Sequence, residues 1–232
     1  PLQHRNGNGH VYSSRYISDD QACDTLLSNL DTKPLGDPKL IKFTTGRRRK
    51  QWYKNVVAVG LSSGFLEPLE STSIHLIQSA IVRLIQLFPH NGFAPSLETE
   101  YNKQSELEFE QIRDFLVLHY TVNERTDSAF FNDMRNITLP DSLAHKIALF
   151  KESGNLLREQ NDLFLESSWL QVLYGQGITP KDYHGLVDSV PEVQLNQMLT
   201  RLLEIKKEPI AKLPTHDEYI NGMVAKYKRA MS

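Results

Sequence analysis

The sequence predicts an α+β chain that is predominantly α-helical, and three observations carry that prediction. Short alternating or β-branched runs are confined to the first sixty residues. From Ser71 almost to the end, apolar residues recur at helical spacing, as in Ile74, Ile77, Ile81, Leu84 and Phe88. Prolines and glycines fall between the periodic stretches, at Pro89, Gly92, Pro140, Gly154, Gly175, Gly177, Pro180 and Pro214. The layout is a small β-containing head and a larger helical tail, without internal repeats or low-complexity tracts.

In order, Asn6-Gly7 and Asn8-Gly9 are turn dipeptides, and residues 10–17 alternate like a half-buried strand. Asp19-Asp20 open a helix that carries Ala22, Leu26 and Leu30 on one face and ends before Pro34, Gly36 and Pro38. Residues 39–44 form a candidate strand, and Arg47-Arg48-Arg49-Lys50 after Gly46 a basic turn. Residues 55–59 have the short β-branched character of a buried strand. A helix follows from Ser71 to Phe88. A long polar helix then runs from Leu97 to about Val122, its stripe including Ile112, Phe115, Leu116 and His119. Further helices are expected over 141–153, 159–174, 191–206 and 215–229.

Composition narrows the function. The 232 residues are 40% hydrophobic and 23% charged, enough apolar material for a substantial core. Lys+Arg is 26 and Asp+Glu 28, a balance that argues against a nucleic-acid or polybasic membrane surface. A lone cysteine, Cys23, excludes an internal disulfide and C-x-x-C chemistry, and no apolar run is long enough to span a bilayer. The eight histidines are scattered without metal-ligand spacing, so no metal site is expected. His75 and His119 read as packing or surface histidines. A soluble, cytoplasmic protein follows. The first residue is Pro1, which carries the expectation that the chain is the C-terminal part of a longer protein.

The stretch from Asn55 to His75 concentrates the chemistry: a strand, a loop with Gly60 and Gly64, and a helix start at Ser71-Thr72-Ser73. Free N–H groups and the positive end of the helix dipole suit an anion or the polar edge of a cofactor. The plain structural reading is a strand-loop-helix joint with Ser71 or Thr72 as N-cap. Glu67 and Glu70, three apart around Pro68, read either as helix-start carboxylates favoured by the dipole or as catalytic groups. Arg47 to Lys50 reads as a solvated surface or a phosphate contact.

Gly60-Leu61-Ser62-Ser63-Gly64-Phe65-Leu66-Glu67-Pro68-Leu69-Glu70-Ser71-Thr72 closely resembles the segment before and into the active-site helix of the flavin-dependent tryptophan halogenase family. Pro1-Leu2-Gln3-His4-Arg5 resembles the continuation of that family's Trp-x-Trp-x-Ile-Pro motif. Phe43 to Arg48, Trp52 to Asn55 and Ile112 to Tyr120 are similar to family segments as well. The resemblance implies the C-terminal part of an α/β flavin monooxygenase-like, FAD-binding fold with a helical cap. Residues 1–75 would then end the FAD-binding core and hold the active-site loop, and residues 76–232 would form the substrate and cap region. It also implies FADH2-dependent chlorination or bromination of an electron-rich aromatic through a flavin hydroperoxide and hypohalous acid, with O2 and halide as co-substrates. Glu70 matches the family's glutamate, suited to stabilise a cationic ring and take its proton. Thr72 and Ser73 match the halide-binding positions, and Leu61 and Ile74 match main-chain contacts to the flavin. The catalytic lysine and the dinucleotide-binding glycines would lie upstream. A separate flavin reductase is the implied partner, with homodimerisation left open.

Two features depart from the best-known members. Ser73 stands where they carry Gly, which keeps the N–H but not the free choice of φ, so the halide pocket differs in shape. No Tyr-Tyr pair is present to grip the amino-acid end of tryptophan, which brings indole or another aromatic into consideration. Phe164, Trp169 and Tyr174 read either as the lining of such a pocket or as core. An aromatic hydroxylase of the same fold and a non-catalytic helical binding module are the alternative functions.

Overall fold

The computed structural model describes residues 4–159 and 162–231. They fall into two compact units, residues 11–183 and residues 184–231 grouped with 4–10. Pro1-Leu2-Gln3, the start of the motif continuation, lies outside the described residues.

The larger unit is built around one long helix, α3 (Pro95–Thr121), which follows α1 (Asp19–Ser28) and α2 (Ser73–Gln86). Four two-residue strands precede it. β1 (Gly46–Arg47) pairs antiparallel with β4 (Gly64–Phe65), and β2 (Trp52–Tyr53) with β3 (Val56–Val57). Asn102 of α3 holds the second ladder by its edge. Its Oδ1 accepts from the N–H groups of Gln51 and Trp52 at 2.7 and 2.9 Å, and its Nδ2 donates to the Trp52 carbonyl at 2.8 Å. Gly64 is required by close approach, because a Cβ there would lie 2.7 Å from the Gly46 carbonyl oxygen and 2.9 Å from Phe109.

The C-terminal half of α3 forms the core with α5 (Asp141–Ser153) and α6 (Glu166–Gly175), while α4 (Ala129–Met134) packs alongside. Phe115 and Leu118 meet Leu143, Ile147, Phe150, Trp169 and Leu173. Burying each such side chain contributes roughly 1.5–3 kcal/mol. Pro140 precedes α5, and Gly154 ends it in the left-handed region at φ 70°.

α3 reads as polar because several of its polar groups are buried against partners. The Arg83 guanidinium of α2 donates to Glu108 at 2.8 Å and to Ser105 at 2.7 Å, and His75 Nε2 lies 3.1 Å from the other Glu108 oxygen. Ser142 of α5 donates to Asp114. These links clip α2 and α5 to α3.

The helices stand close to expectation, but the strands do not. Among the described residues, neither 10–17 nor 39–44 joins a ladder. Alternation is a local pattern, and a strand exists only where a partner row accepts its hydrogen bonds. Residues 14–16 turn instead, and Tyr12 and Tyr16 donate to Asp19 and Asp133 at 2.6 and 2.7 Å. The 55–59 run is a strand only at Val56–Val57, with the Ala58 N–H adding one bond to the Gln51 carbonyl at 2.7 Å. The helix expected from 159 begins at Glu166, because the Asp162 carboxylate accepts from the Phe164 N–H and bends the chain locally.

The smaller unit holds a 3-10 turn at Gly185–Ser189, α7 (Glu192–Ala211) and α8 (His216–Met231). Thr215 and Glu218 form a reciprocal capping pair at the start of α8. No residue of α7 or α8 is buried. No helix among the described residues is long and apolar enough to cross a membrane.

Candidate active site

The loop between β3 and α2 is made rigid by its own serines. In the 3-10 turn Gly60–Ser62, the Ser62 hydroxyl accepts from the Val59 N–H at 3.1 Å, and Ser63 donates to the Gly60 carbonyl at 2.7 Å. Gly60 has φ 66°, and Ile77 of α2 lies 3.5 Å from where its Cβ would be. The basic turn straps this loop down. Arg48 donates to the Ser62 carbonyl at 3.0 Å, Arg47 pairs with Glu106 and Glu110 of α3, and Lys50 pairs with Glu98 at 2.8 Å. The protein itself thus engages Arg47, Arg48 and Lys50.

A second 3-10 turn, Pro68–Glu70, leads into α2 through Ser71, whose φ of 54° and ψ of 38° are left-handed. This one residue turns the chain between Glu70 and the helix. Ser73 is not among the positive-φ residues, so a side chain is accepted there without backbone strain. Thr72 occupies the N-cap position and is 4% exposed, yet its side chain makes no capping bond. The Ser71 hydroxyl is turned back to the Pro68 carbonyl. The first helical N–H to reach a main-chain acceptor is that of Leu76, at 2.9 Å from the Thr72 oxygen. α2 thus begins at Thr72 as its N-cap residue, one of the two positions expected, but with amides that no local side chain caps.

Each carboxylate of the turn meets the last turns of α3. Tyr120 donates a short hydrogen bond to Glu67, and burial first, then the Glu67 carboxylate, pushes the Tyr120 phenol far above its usual range. Glu70 Oε1 lies 3.0 Å from His119 Nε2, while His119 Nδ1 lies 2.7 Å from the Phe115 carbonyl oxygen. His119 is thus a half-buried histidine placed between its own helix and Glu70. Its signal in the sequence is its place on the α3 stripe in the run Phe115-Leu116-Val117-Leu118-His119-Tyr120, which gives a face but no partner.

Behind His119 lies an aromatic cluster. Phe115 stacks on Phe164 at 3.9 Å and meets the edges of His119 and Trp169 at 4.8 and 4.9 Å. Lys146 sits 4.2 Å over the Trp169 ring, and burial raises the Asp162 carboxyl despite the same lysine's attraction. Phe164 and Trp169 come together on Phe115, whereas Tyr174 is exposed; the three do not line one pocket. On the loop's other flank, Leu61 and Ile74 are 79% and 70% exposed. A flavin touching the main chain at these two positions would find both at the surface. No cluster of His, Cys, Asp or Glu suited to a metal ion occurs among the described residues.

Comparison with known proteins identifies the family. A family profile described as tryptophan halogenase matches residues 1–192. Tryptophan 6-halogenase SttH of Streptomyces toxytricini is 32% identical over 231 residues, covering 96% of this chain and 43% of its own length. Xcc4156, a flavin-dependent halogenase from Xanthomonas campestris, superposes with a TM-score of 0.86 at 44% identity, over 90% of this chain and 42% of that one. BrvH, a flavin-dependent halogenase from Brevundimonas sp. BAL3, gives 0.84 at 42% identity, over 91% and 43%. The chain spans less than half the length of these relatives.

Proposed function

The chain belongs to the tryptophan halogenase family, and from that premise we propose that it is the C-terminal part of a flavin-dependent halogenase acting on an electron-rich aromatic such as tryptophan or indole. The observation that carries the reading is the start of α2. Amides without a side-chain cap stand one left-handed residue away from Glu70, so an anion site and a carboxylate adjoin on one short turn.

The Thr72 and Ser73 N–H groups hold chloride or bromide at the positive end of the helix. Leu61 and Ile74 would hold the flavin through their main chain, and reduced flavin bound there would supply, with O2, the oxidising equivalent that turns halide into hypohalous acid. Glu70 stabilises the positive charge on the attacked ring and takes its proton, whose departing C–H electron pair restores aromaticity. A separate reductase provides FADH2, and the reaction runs in the cytoplasm. The chain by itself does not turn over.

The test is a product assay on the intact protein with a flavin reductase and bromide. Brominated aromatic product is expected, and Glu70→Gln lowers its rate by about 10²-fold with flavin binding retained. Hydroxylated product without any halogenation would move the protein to the hydroxylase alternative. Absence of all flavin affinity would move it to the binding module.

A further inference from the structure

Glu67 and Glu70 are alike in sequence, yet the fold treats them differently. Glu67 stands at the N-cap position of the 3-10 turn Pro68–Glu70, and its side chain makes no bond to that turn. It reaches away instead and accepts from the Tyr120 phenol of α3. Among the described residues, no other hydrogen bond and no ion pair involves the Glu67 carboxylate. Glu70 is exposed and accepts no hydrogen bond among the described residues, with His119 Nε2 3.0 Å from its Oε1.

Tyr120 is itself held. Its ring meets Phe130 of α4 edge-on at 5.6 Å, and Phe130 meets Tyr16 edge-on at 5.3 Å. Tyr16 in turn donates to Asp133 of α4 at 2.7 Å. The Asn123 side chain donates to the Tyr120 carbonyl and accepts from the Arg125 N–H at 3.0 Å, which closes the end of α3. Burial first, then the Glu67 carboxylate, keeps the phenol protonated, so it stays a donor.

Between the two glutamates the chain has little freedom. Pro68 fixes its own φ. Its carbonyl accepts from the Ser71 N–H at 2.9 Å and from the Ser71 hydroxyl at 3.4 Å. Whatever holds Glu67 therefore also sets the backbone of Glu70 and of the left-handed Ser71 that leads into α2.

We propose that Glu67 is an anchor and not an acid or base, and that Tyr120, by holding it, is a positioning residue for Glu70. The effect on turnover rests on the halogenase reading, and the contact itself does not.

Substitutions in the intact protein separate an anchor from a reacting group. An anchor needs an acceptor oxygen and no charge, and a glutamine amide supplies one. With a flavin reductase and bromide, Glu67→Gln should keep the halogenation rate within about threefold. Glu67→Leu and Tyr120→Phe break the bond from either side. Each should lower kcat roughly tenfold, with KM for the aromatic substrate and flavin binding unchanged. Combining these two should cost no more than the worse of them, because both remove the same bond. A Glu67→Gln variant as slow as Glu70→Gln overturns the proposal, since the charge itself then matters. So does Tyr120→Phe at the wild-type rate, or a double variant whose losses multiply. Urea unfolding of the same variants checks the contact without turnover. Each single variant should lower the midpoint, and the double variant no further than the worse single one. Losses that add in full overturn the contact and the proposal with it. Glu67→Ala takes the place of the leucine variant if that one fails to fold. If the wild type yields no halogenated product, the functional reading fails, and the unfolding cycle still decides the contact.

Discussion

α3 and α7 are the two longest helices, 27 and 20 residues, and they relate to their surroundings in opposite ways. α3 buries Phe115 and Leu118 among apolar neighbours, and buries Glu108 and Asp114 beside donors from α2 and α5. α7 buries nothing, and Val193, Leu199, Leu202 and Leu203 are exposed along it. The helix with the more polar sequence is the one that organises a core. Polarity in a sequence thus says little about burial when the polar groups have partners on other elements, since a paired buried charge is tolerable and an unpaired one is not.

Substitutions can break that contrast. Phe150→Ala empties a fully buried site facing α3 and should cost about 3–5 kcal/mol in urea unfolding. A loss below about 1 kcal/mol would show that the three-helix core is loosely packed. Arg83→Met leaves Glu108 buried with only His75 near it, and a loss of about 3 kcal/mol is expected. An unchanged midpoint would mean that the α2–α3 clip contributes little.

Tyr120→Phe sharpens the comparison through pH. The Tyr120 phenol is pushed up in the folded state, so the protein keeps this proton where an unfolded phenol has lost it. The stability this contributes is complete below the unfolded value of about 10 and falls as pH rises through it towards the folded value. The phenylalanine variant should show a shallower alkaline decline, read as melting temperature against pH. The smallest effect belongs to α7, where Leu202→Ala should stay within about 0.5 kcal/mol. A cost comparable to that of Phe150→Ala would erase the difference between the two helices.

The same contrast explains what the sequence made legible. α2 and α5 could be placed because Pro89, Gly92, Pro140 and Gly154 punctuate a 3.6-residue period, which is a property of the segment alone. Residues 10–17 and 39–44 misled because a strand is a property of two segments. Glu70 could be named as a candidate because its motif is contiguous. Its partner His119 was not, since only the packing of α3 against the loop brings the two together. Phe164 and Trp169 stood undecided between pocket and core, and their convergence on Phe115 is a tertiary fact.

α3 also has a mechanical consequence. At 1.5 Å per residue its 27 residues make a rod about 40 Å long. Near one end Asn102 grips the β2–β3 hairpin, and at the other His119 and Tyr120 grip the two carboxylates. Hairpin and carboxylates are thereby geared to a single shaft. Because α2 and α5 clip this shaft between its ends, both are held to one rigid support. Residues that never touch Glu70 thereby share in setting where it stands.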